Sequence, residues 1–277
     1  MLQVLAVTHP SMSDVNMSHP NHELIEMQPS NDPYADIDWM PKPLVGSTSP
    51  PGLEHLRQVD TLLVKETRDI YEALLHVPSI DTRNMFAMTN PAGERVYQGY
   101  EVSDYCTRIF CNELRKFQAH VVDEQGQELI RVIRPCQCCA GCCWFVCCRN
   151  FCSWRIRIEC PPETTIGYVY QTWSIIRPQF VLQDEDHNDL YRLWGPNCSC
   201  QWLLGCTGSK EFRFTNSEGE EVARYAKART GIPDGEKVRK PDSFRIKFHT
   251  DLDVKHKALI IGALFFLDVL YFEAEEA

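Results

Sequence analysis

The chain has 277 residues, of which 44% are hydrophobic, with a formal net charge of −10 and a pI of about 5.4. That length holds one large domain or two small ones with a sizeable core. The acidic balance argues against nucleic-acid binding as a main task, because neutralising phosphates needs a basic face.

The first ten residues, MLQVLAVTHP, lack the basic flank and long apolar run of a secretory signal. A reducing compartment is therefore expected for the body of the protein, without a disulfide framework. Residues 1–52 hold eight of the seventeen prolines, Lys42 as the sole lysine and no arginine. No apolar period survives there, so residues 1–50 are expected to form a disordered, Pro-rich arm serving as a linker or as a recruiting site for protein partners. The stretch 50–77, PPGLEHLRQVDTLLVKETRDIYEALLHV, opens in a helix-like pattern from Gly52 after two prolines.

Three hairpin signals follow. Their turns are Asn90-Pro91-Ala92-Gly93, Asp123-Glu124-Gln125-Gly126 and Asn216-Ser217-Glu218-Gly219. In each, an Asn or Asp side chain can bond the backbone ahead, and a Gly three residues later takes the left-handed conformation without a Cβ clash. Further strand-like runs are WRIRIE (154–159), IGYVYQTW (166–173), QFVLQ (179–183) and FRIKFH (244–249). No long helix is signalled between residues 80 and 250. The middle of the chain is expected to be all β, a barrel or a sandwich.

Between two of these strands, residues 136–152 read CQCCAGCCWFVCCRNFC, eight cysteines in seventeen positions. Neighbouring cysteines bridge each other poorly. Cys139-x2-Cys142 has the spacing of a zinc knuckle, but no histidine and no second knuckle accompany it. The paired cysteines Cys138-Cys139, Cys142-Cys143 and Cys147-Cys148 suit thioester-linked fatty chains, because two or more chains anchor a protein stably where one does so marginally. Trp144, Phe145, Val146, Phe151 and Trp154, with Arg134, Arg149, Arg155 and Arg157, have the aromatic and basic character of a membrane interface. Acylation, a metal cluster and an unmodified cysteine-rich loop all remain open on these residues alone.

The stretch 258–272, ALIIGALFFLDVLYF, is apolar on every helical face except at Asp268. Such a helix is buried in protein or in lipid. Fifteen residues rise about 22 Å, against about 30 Å of hydrocarbon. Ten strongly apolar side chains favour insertion by roughly 3–6 kcal/mol and Asp268 opposes it by up to about 3, so a core helix and a membrane span both stand. The basic stretch from Arg224 to Lys240 reads as a solvated loop or a nuclear-import signal, with a secondary nuclear pool as its consequence. No Ser-His-Asp elbow, Gly-rich phosphate loop or HExxH motif is present, and covalent catalysis is not expected.

Taken in order, PPGLEHLRQVDTLLV, GERVYQGYEVSDYCTRIFC, the cysteine cluster, PPETTIGYVYQTW and FRIKFHTDLDVKHKALIIGALFFLDVLYFE resemble the phospholipid scramblase family from about residue 50 to the C-terminus. The resemblance implies ATP-independent, calcium-triggered movement of phospholipids between leaflets, with the protein on the cytoplasmic face of the plasma membrane. It implies palmitate on Cys138, Cys139, Cys142, Cys143, Cys147 and Cys148. It implies a C-terminal helix, including Leu259, Ile260, Ile261, Leu264, Phe265, Phe266, Leu267 and Asp268, described either as a single-pass type II span or as the centre of a tubby-like closed antiparallel β-barrel. The family's calcium segment falls on Lys240 to Asp251, with Asp242, Ser243, Phe244 and Asp251 as the implied ligand positions. Lys240 and Arg245 depart from the oxygen ligand and central glycine that calcium prefers, and the cysteine tract is stretched by Trp144-Phe145-Val146 and Arg149-Asn150-Phe151. One short helix supplies no polar path across a bilayer, so lipid movement by this chain calls for a homo-oligomer or a disturbed bilayer.

Overall fold

The computed structural model describes residues 38–43, 50–67, 85–102, 116–135, 153–160, 163–172, 174, 177–196, 211–228 and 243–271. Among them, twelve strands close into one antiparallel barrel in which every strand pairs with its sequence neighbours and the last pairs with the first. The strands are β1 (Thr61–Thr67), β2 (Met85–Thr89), β3 (Arg95–Val102), β4 (Phe117–Val122), β5 (Glu128–Arg134), β6 (Arg155–Glu159), β7 (Thr165–Gln171), β8 (Gln179–Gln183), β9 (Asp189–Trp194), β10 (Glu211–Thr215), β11 (Glu221–Ala228) and β12 (Ser243–Phe248). Closure leaves no free sheet edge. The period-2 pattern decides which side of the wall each residue faces. In β12, Phe244, Ile246 and Phe248 point inward while Arg245 and Lys247 are exposed, and β6 does the same with Ile156 and Ile158 against Arg155 and Arg157.

Five of the connections are tight turns of one design. The turns at Asn90, Asp123, Asp184 and Asn216 each return a backbone N–H to the carbonyl of the residue four further on and accept one from the residue three on. The opening side chain completes them: Asp123 Oδ1 accepts from the N–H groups of Gln125 and Gln127 at 3.0 and 2.9 Å, and Asp184 and Asn216 repeat the pattern. The fourth position is left-handed throughout, held by Gly93, Gly126 and Gly219 in three cases, by His187 (φ 64°) in the fourth, and by Glu163 (φ 79°) in the fifth turn, which opens at Cys160. Because these turns join even to odd strands, all five lie at one end of the barrel, the hairpin rim. The connections 68–84, 103–116, 135–154, 172–178, 195–210 and 229–242 all leave from the opposite end, the connection rim.

The barrel is filled by α1 (Val254–Tyr271), whose residues from Lys257 to Leu270 are all buried. A helix with no polar face has nowhere else to go in water. It enters at the hairpin rim, where Asp253 Oδ2 accepts from the Lys255 N–H at 2.9 Å in the manner of an N-cap. It therefore starts one turn before the apolar run, and Lys257 falls inside the wall. The Lys257 ammonium donates to the carbonyl oxygens of Leu56 and Val59, both at 2.9 Å, in and just after the 3-10 turn Glu54–Arg57. Lys255 pairs with Glu185 at 2.7 Å, and the His256 ring meets the Tyr191 hydroxyl at 2.7 Å. Further along, Phe265 packs edge-on against Phe86 and Phe266 against Phe180. Glycine on both partners lets wall and helix approach: a Cβ on Gly167 of β7 would lie 2.9 Å from Leu259 of the helix and 2.2 Å from the Gln183 carbonyl oxygen of β8, and one on Gly262 of the helix would meet Ile158 of β6 at 2.6 Å.

Three elements differ from the sequence reading. The helix-like opening at Gly52 is only the short 3-10 turn, after which Thr61–Thr67 pairs between β2 and β12 as a strand, because Leu62 and Val64 alternate with residues on the outer face. Strand β9 carried no turn signal, since its hairpin uses His187 where a glycine was looked for. Within the expected arm, residues 38–43 lie against the barrel: Trp39 bridges Arg95 in parallel, Arg95 N–H donates to Asp38 O, Met40 N–H donates to Arg95 O, and Lys42 reaches Gln125 and Asp123. The other residues before Pro50 lie outside the described residues.

Gly167→Ala is expected to destabilise the protein by about 1–3 kcal/mol, the usual cost of overpacking, because the clash is with backbone. Lys257→Met should cost about as much by orphaning two buried carbonyls. Equilibrium denaturant unfolding of both variants checks this, and parental stability for either would contradict the packing.

Candidate functional site

The cysteine connection is the chemically distinctive part of this chain, and the described residues on either side show how it is mounted. It leaves β5 after Arg134 and returns into β6 at Trp154. The Arg134 guanidinium lies 4.3 Å from the centre of the Trp154 ring, 5.7 Å from Phe117 and 5.9 Å from Phe266 of α1. A cation over aromatic faces, out of water, is held more strongly than at the surface. Ser153 Oγ donates to the Gln171 carbonyl at 2.8 Å, and Gln171 N–H donates to the Trp154 carbonyl at 2.7 Å. Both stems of the connection are thus fixed to the wall and to the central helix. Arg134 and Trp154 were read as interface residues; they are instead buried, because Arg134 occupies an inward position of β5 and draws the Trp154 ring over it. Arg155 and Arg157 do face outward. Cys138, Cys139, Cys142, Cys143, Cys147 and Cys148 lie outside the described residues.

Cys160 is the one cysteine among the described residues. It sits in the fifth turn, buried, and burial pushes its thiol up to about 12. At neutral pH it carries almost no thiolate, the form that acylation or metal binding requires.

Within the segment Lys240–Asp251, Ser243–Phe248 form β12 between β1 and β11. Phe244 is buried and stacked on Tyr225, whereas Asp251 is exposed beyond the strand. Ser243 and Asp251 stand at opposite rims, separated by a strand that spans about 17 Å, so they do not meet on one ion. Asp242 lies outside the described residues. Among the described residues no group of three or more His, Cys, Asp or Glu side chains is placed to hold a metal ion.

Leu259, Ile260, Ile261, Leu264, Phe265, Phe266, Leu267 and Asp268 all lie on α1 inside the barrel. Of the two alternatives for this helix, the structure shows the core helix. Among the described residues no helix is long and apolar enough to cross a membrane. Arg224, the start of the basic stretch, pairs with Glu221 on the barrel surface at 2.8 Å, and residues 229–240 lie outside the described residues.

On the outer wall of β4–β6, His120 Nδ1 lies 2.6 Å from Glu128 Oε1, Arg131 Nε donates to the same oxygen at 2.8 Å, and Arg157 pairs with Glu159 at 3.0 Å. Tyr100 stacks on His120 at 4.9 Å. Burial opposes ionisation of Glu128, but the hydrogen bonds from His120 and Arg131 outweigh it and hold its pKa down at about 2. The belt stitches three strands together, and its carboxylate is committed to those partners. Sequence reading missed it, since its members lie on three strands that become neighbours only through the registers His120↔Arg131 and Arg131↔Glu159.

Because the folded pKa of Glu128 is depressed, its contribution to stability is present above the ordinary carboxylate range and is lost as pH falls through about 2. Glu128→Gln should lower the thermal midpoint at pH 7, with the deficit shrinking between about pH 4.5 and pH 2. A deficit independent of pH would refute the linkage. Alkylation of the folded protein at pH 7.5 should leave Cys160 unmodified, as read by mass spectrometry, until denaturant is added.

The Scramblase family model matches residues 40–274, which take in the whole barrel and its helix. The chain is 37% identical to human phospholipid scramblase 1 over 241 residues, covering 87% of this chain and 71% of that protein. It is 36% identical to bovine phospholipid scramblase 2 over 238 residues (86% and 76%) and 32% identical to human phospholipid scramblase 4 over 273 residues (96% and 77%). No solved structure matches. A match from residue 40 to beyond the end of the helix, over the whole barrel, makes this chain a member of the scramblase family.

Proposed function

We propose that this protein moves phospholipids between the leaflets of a membrane without covalent chemistry, in response to calcium, while attached to the membrane by fatty chains on cysteines of residues 136–152. The observation that carries the reading is the family match over residues 40–274, with relatives named phospholipid scramblases. The mounting of the cysteine connection supports the attachment. Its stems are rigid, so acyl chains on Cys138, Cys139, Cys142, Cys143, Cys147 and Cys148 would hold the barrel close to the bilayer surface. Several chains give an attachment that one chain does not. The membrane is the cytoplasmic face of the plasma membrane, and the Pro-rich arm recruits protein partners.

A second reading is favoured by one observation. With α1 enclosed in the barrel, no described helix is left to open a polar path through hydrocarbon. On that reading the protein is an acylated lipid-binding adaptor, without transport of its own.

Purified acylated protein reconstituted in liposomes is expected to equilibrate a fluorescent phospholipid between leaflets within minutes of calcium addition. Stable binding without equilibration selects the adaptor. Changing the six named cysteines to alanine should abolish hydroxylamine-sensitive acyl labelling and shift the protein from the membrane to the soluble fraction. Undiminished membrane fractionation would overturn attachment through these residues.

A further inference from the structure

We propose that the outer wall of β9–β12 is a docking face for an acidic, extended segment of a soluble protein partner. This goes beyond the membrane-attached reading above and draws on it only in choosing the occupant.

Strand register lines up cations on this wall. Arg213 of β10 stands opposite Arg224 of β11, and Arg224 stands opposite Lys247 of β12. Residues paired in this way project to the same face of a sheet, and all three are exposed. Arg192, opposite Thr215, and Arg245, opposite Ala226, are exposed two places along the same face. Like charges set opposite one another destabilise a sheet, so this ladder works against the fold that carries it. Three carboxylates lie on the same strands and are already engaged. Glu221 accepts from Arg224 at 2.8 Å, Glu211 lies 3.8 Å from Arg213 and 4.0 Å from Arg224, and Asp189 accepts from Gln183 at 2.7 Å. Among the described residues, Arg192, Arg245 and Lys247 pair with no carboxylate. The Glu221 carboxyl is held below its ordinary range, first by its hydrogen bonds with Arg224 and then by the charges of Arg224, Arg213 and Lys247.

The rims do not cancel the ladder. Glu220 and Asp251 are four residues along the chain from its nearest cations, about 13 Å in extended chain, and the field of an exposed charge falls off in about 8 Å at physiological salt. The connections 195–210 and 229–242 hold five Lys or Arg and three Asp or Glu, and Glu273, Glu275 and Glu276 follow the helix. That near balance leaves the sign of the wall to its own side chains.

Three observations favour an acidic protein chain over a lipid surface. The one exposed large hydrophobic side chain among the described residues is Val102, on β3, so this wall has none to insert between lipids. A barrel wall is convex, and a flat leaflet touches it along one or two strands, whereas an extended chain can follow the ladder across four. Twelve strands make the circuit, and the centre of the ladder, between β10 and β11, is five strands from the cysteine connection between β5 and β6. When fatty chains on that connection hold the barrel at a bilayer, the ladder faces away from it. Four strands span about 14 Å, and an extended segment presents a side chain to one face about every 7 Å, so two or three carboxylates meet the ladder at once. Arginine's fork matches a carboxylate with two parallel hydrogen bonds.

The test uses the full chain in solution and a fluorescein-labelled peptide of alternating Glu and Ser. Saturable binding is expected, several-fold weaker in the variant combining Arg192→Gln, Arg245→Gln and Lys247→Gln. The charge-keeping set Arg192→Lys, Arg245→Lys and Lys247→Arg should bind like the parent, and so should Arg57→Gln with Lys116→Gln, two exposed cations on other elements. Relief of repulsion should leave the glutamine variant at least as stable to denaturant as the parent; lower stability would make the ladder structural and overturn the proposal. Absence of saturable binding, or equal weakening by Arg57→Gln with Lys116→Gln or by the charge-keeping set, overturns it as well. Tighter ladder-dependent binding to phosphatidylserine vesicles or to single-stranded RNA than to the peptide gives the wall to lipid or nucleic acid instead. Peptide binding in solution does not depend on acylation, so its failure leaves the membrane-attached reading standing.

Discussion

A helix with no polar face must be shielded from water on every side, and in this protein twelve strands supply the shield. That requirement sets the other dimensions. The wall has to close, so β1 pairs with β12 across most of the chain's length. The helix has to lie within van der Waals distance of the strands, so glycine occupies the closest approaches on β3, β7 and the helix itself. Inward positions of the strands must be apolar wherever the helix passes, which accounts for Phe86, Ile158, Phe180, Phe212 and Phe244 on five different strands.

The two ends of the helix are finished by buried cations, each handled differently. At the hairpin rim, Lys257 satisfies carbonyls of the short turn that precedes β1, tying the last element of the fold to the first. Burial lowers the pKa of that ammonium, so its two carbonyl partners matter for keeping it in place. At the other rim, Arg134 lies over Trp154 and joins the β5 and β6 stems to Phe266 of the helix. The cysteine connection is therefore mounted on the core, and a force applied at its stems would reach the central helix directly.

Much of the wall could be read from the sequence, and the exceptions share physical reasons. Hairpins at Asn90, Asp123 and Asn216 were legible because glycine announces a left-handed residue. The turn at Asp184 was not, since His187 accepts that conformation with its neighbours holding it there, and β9 was missed with it. Strand β1 was hidden by a stretch whose apolar residues also fit a helical period, and its strand state is decided by partners on both sides that are distant in sequence. The tail helix could be recognised as apolar all round, but a chain alone does not say whether protein or lipid surrounds it; the diameter of the closed wall does. The calcium segment's alternation of Phe244, Ile246 and Phe248 was a strand signal in plain view. The roles of Arg134 and Lys257 were illegible, because a cation's burial depends on the groups that the fold brings to it.

The order of the elements along the chain also bears on how the protein is made. The strand that closes the barrel and the helix that fills it are the last described elements to leave the ribosome. Until β12 has emerged the other eleven strands have unpaired edges, and until residue 271 has emerged their apolar inner face is empty, a state prone to mispairing and aggregation. Contacts between the first and last strands are also the most distant in sequence, and such pairings form slowly. The barrel is therefore completed only after translation has reached the helix.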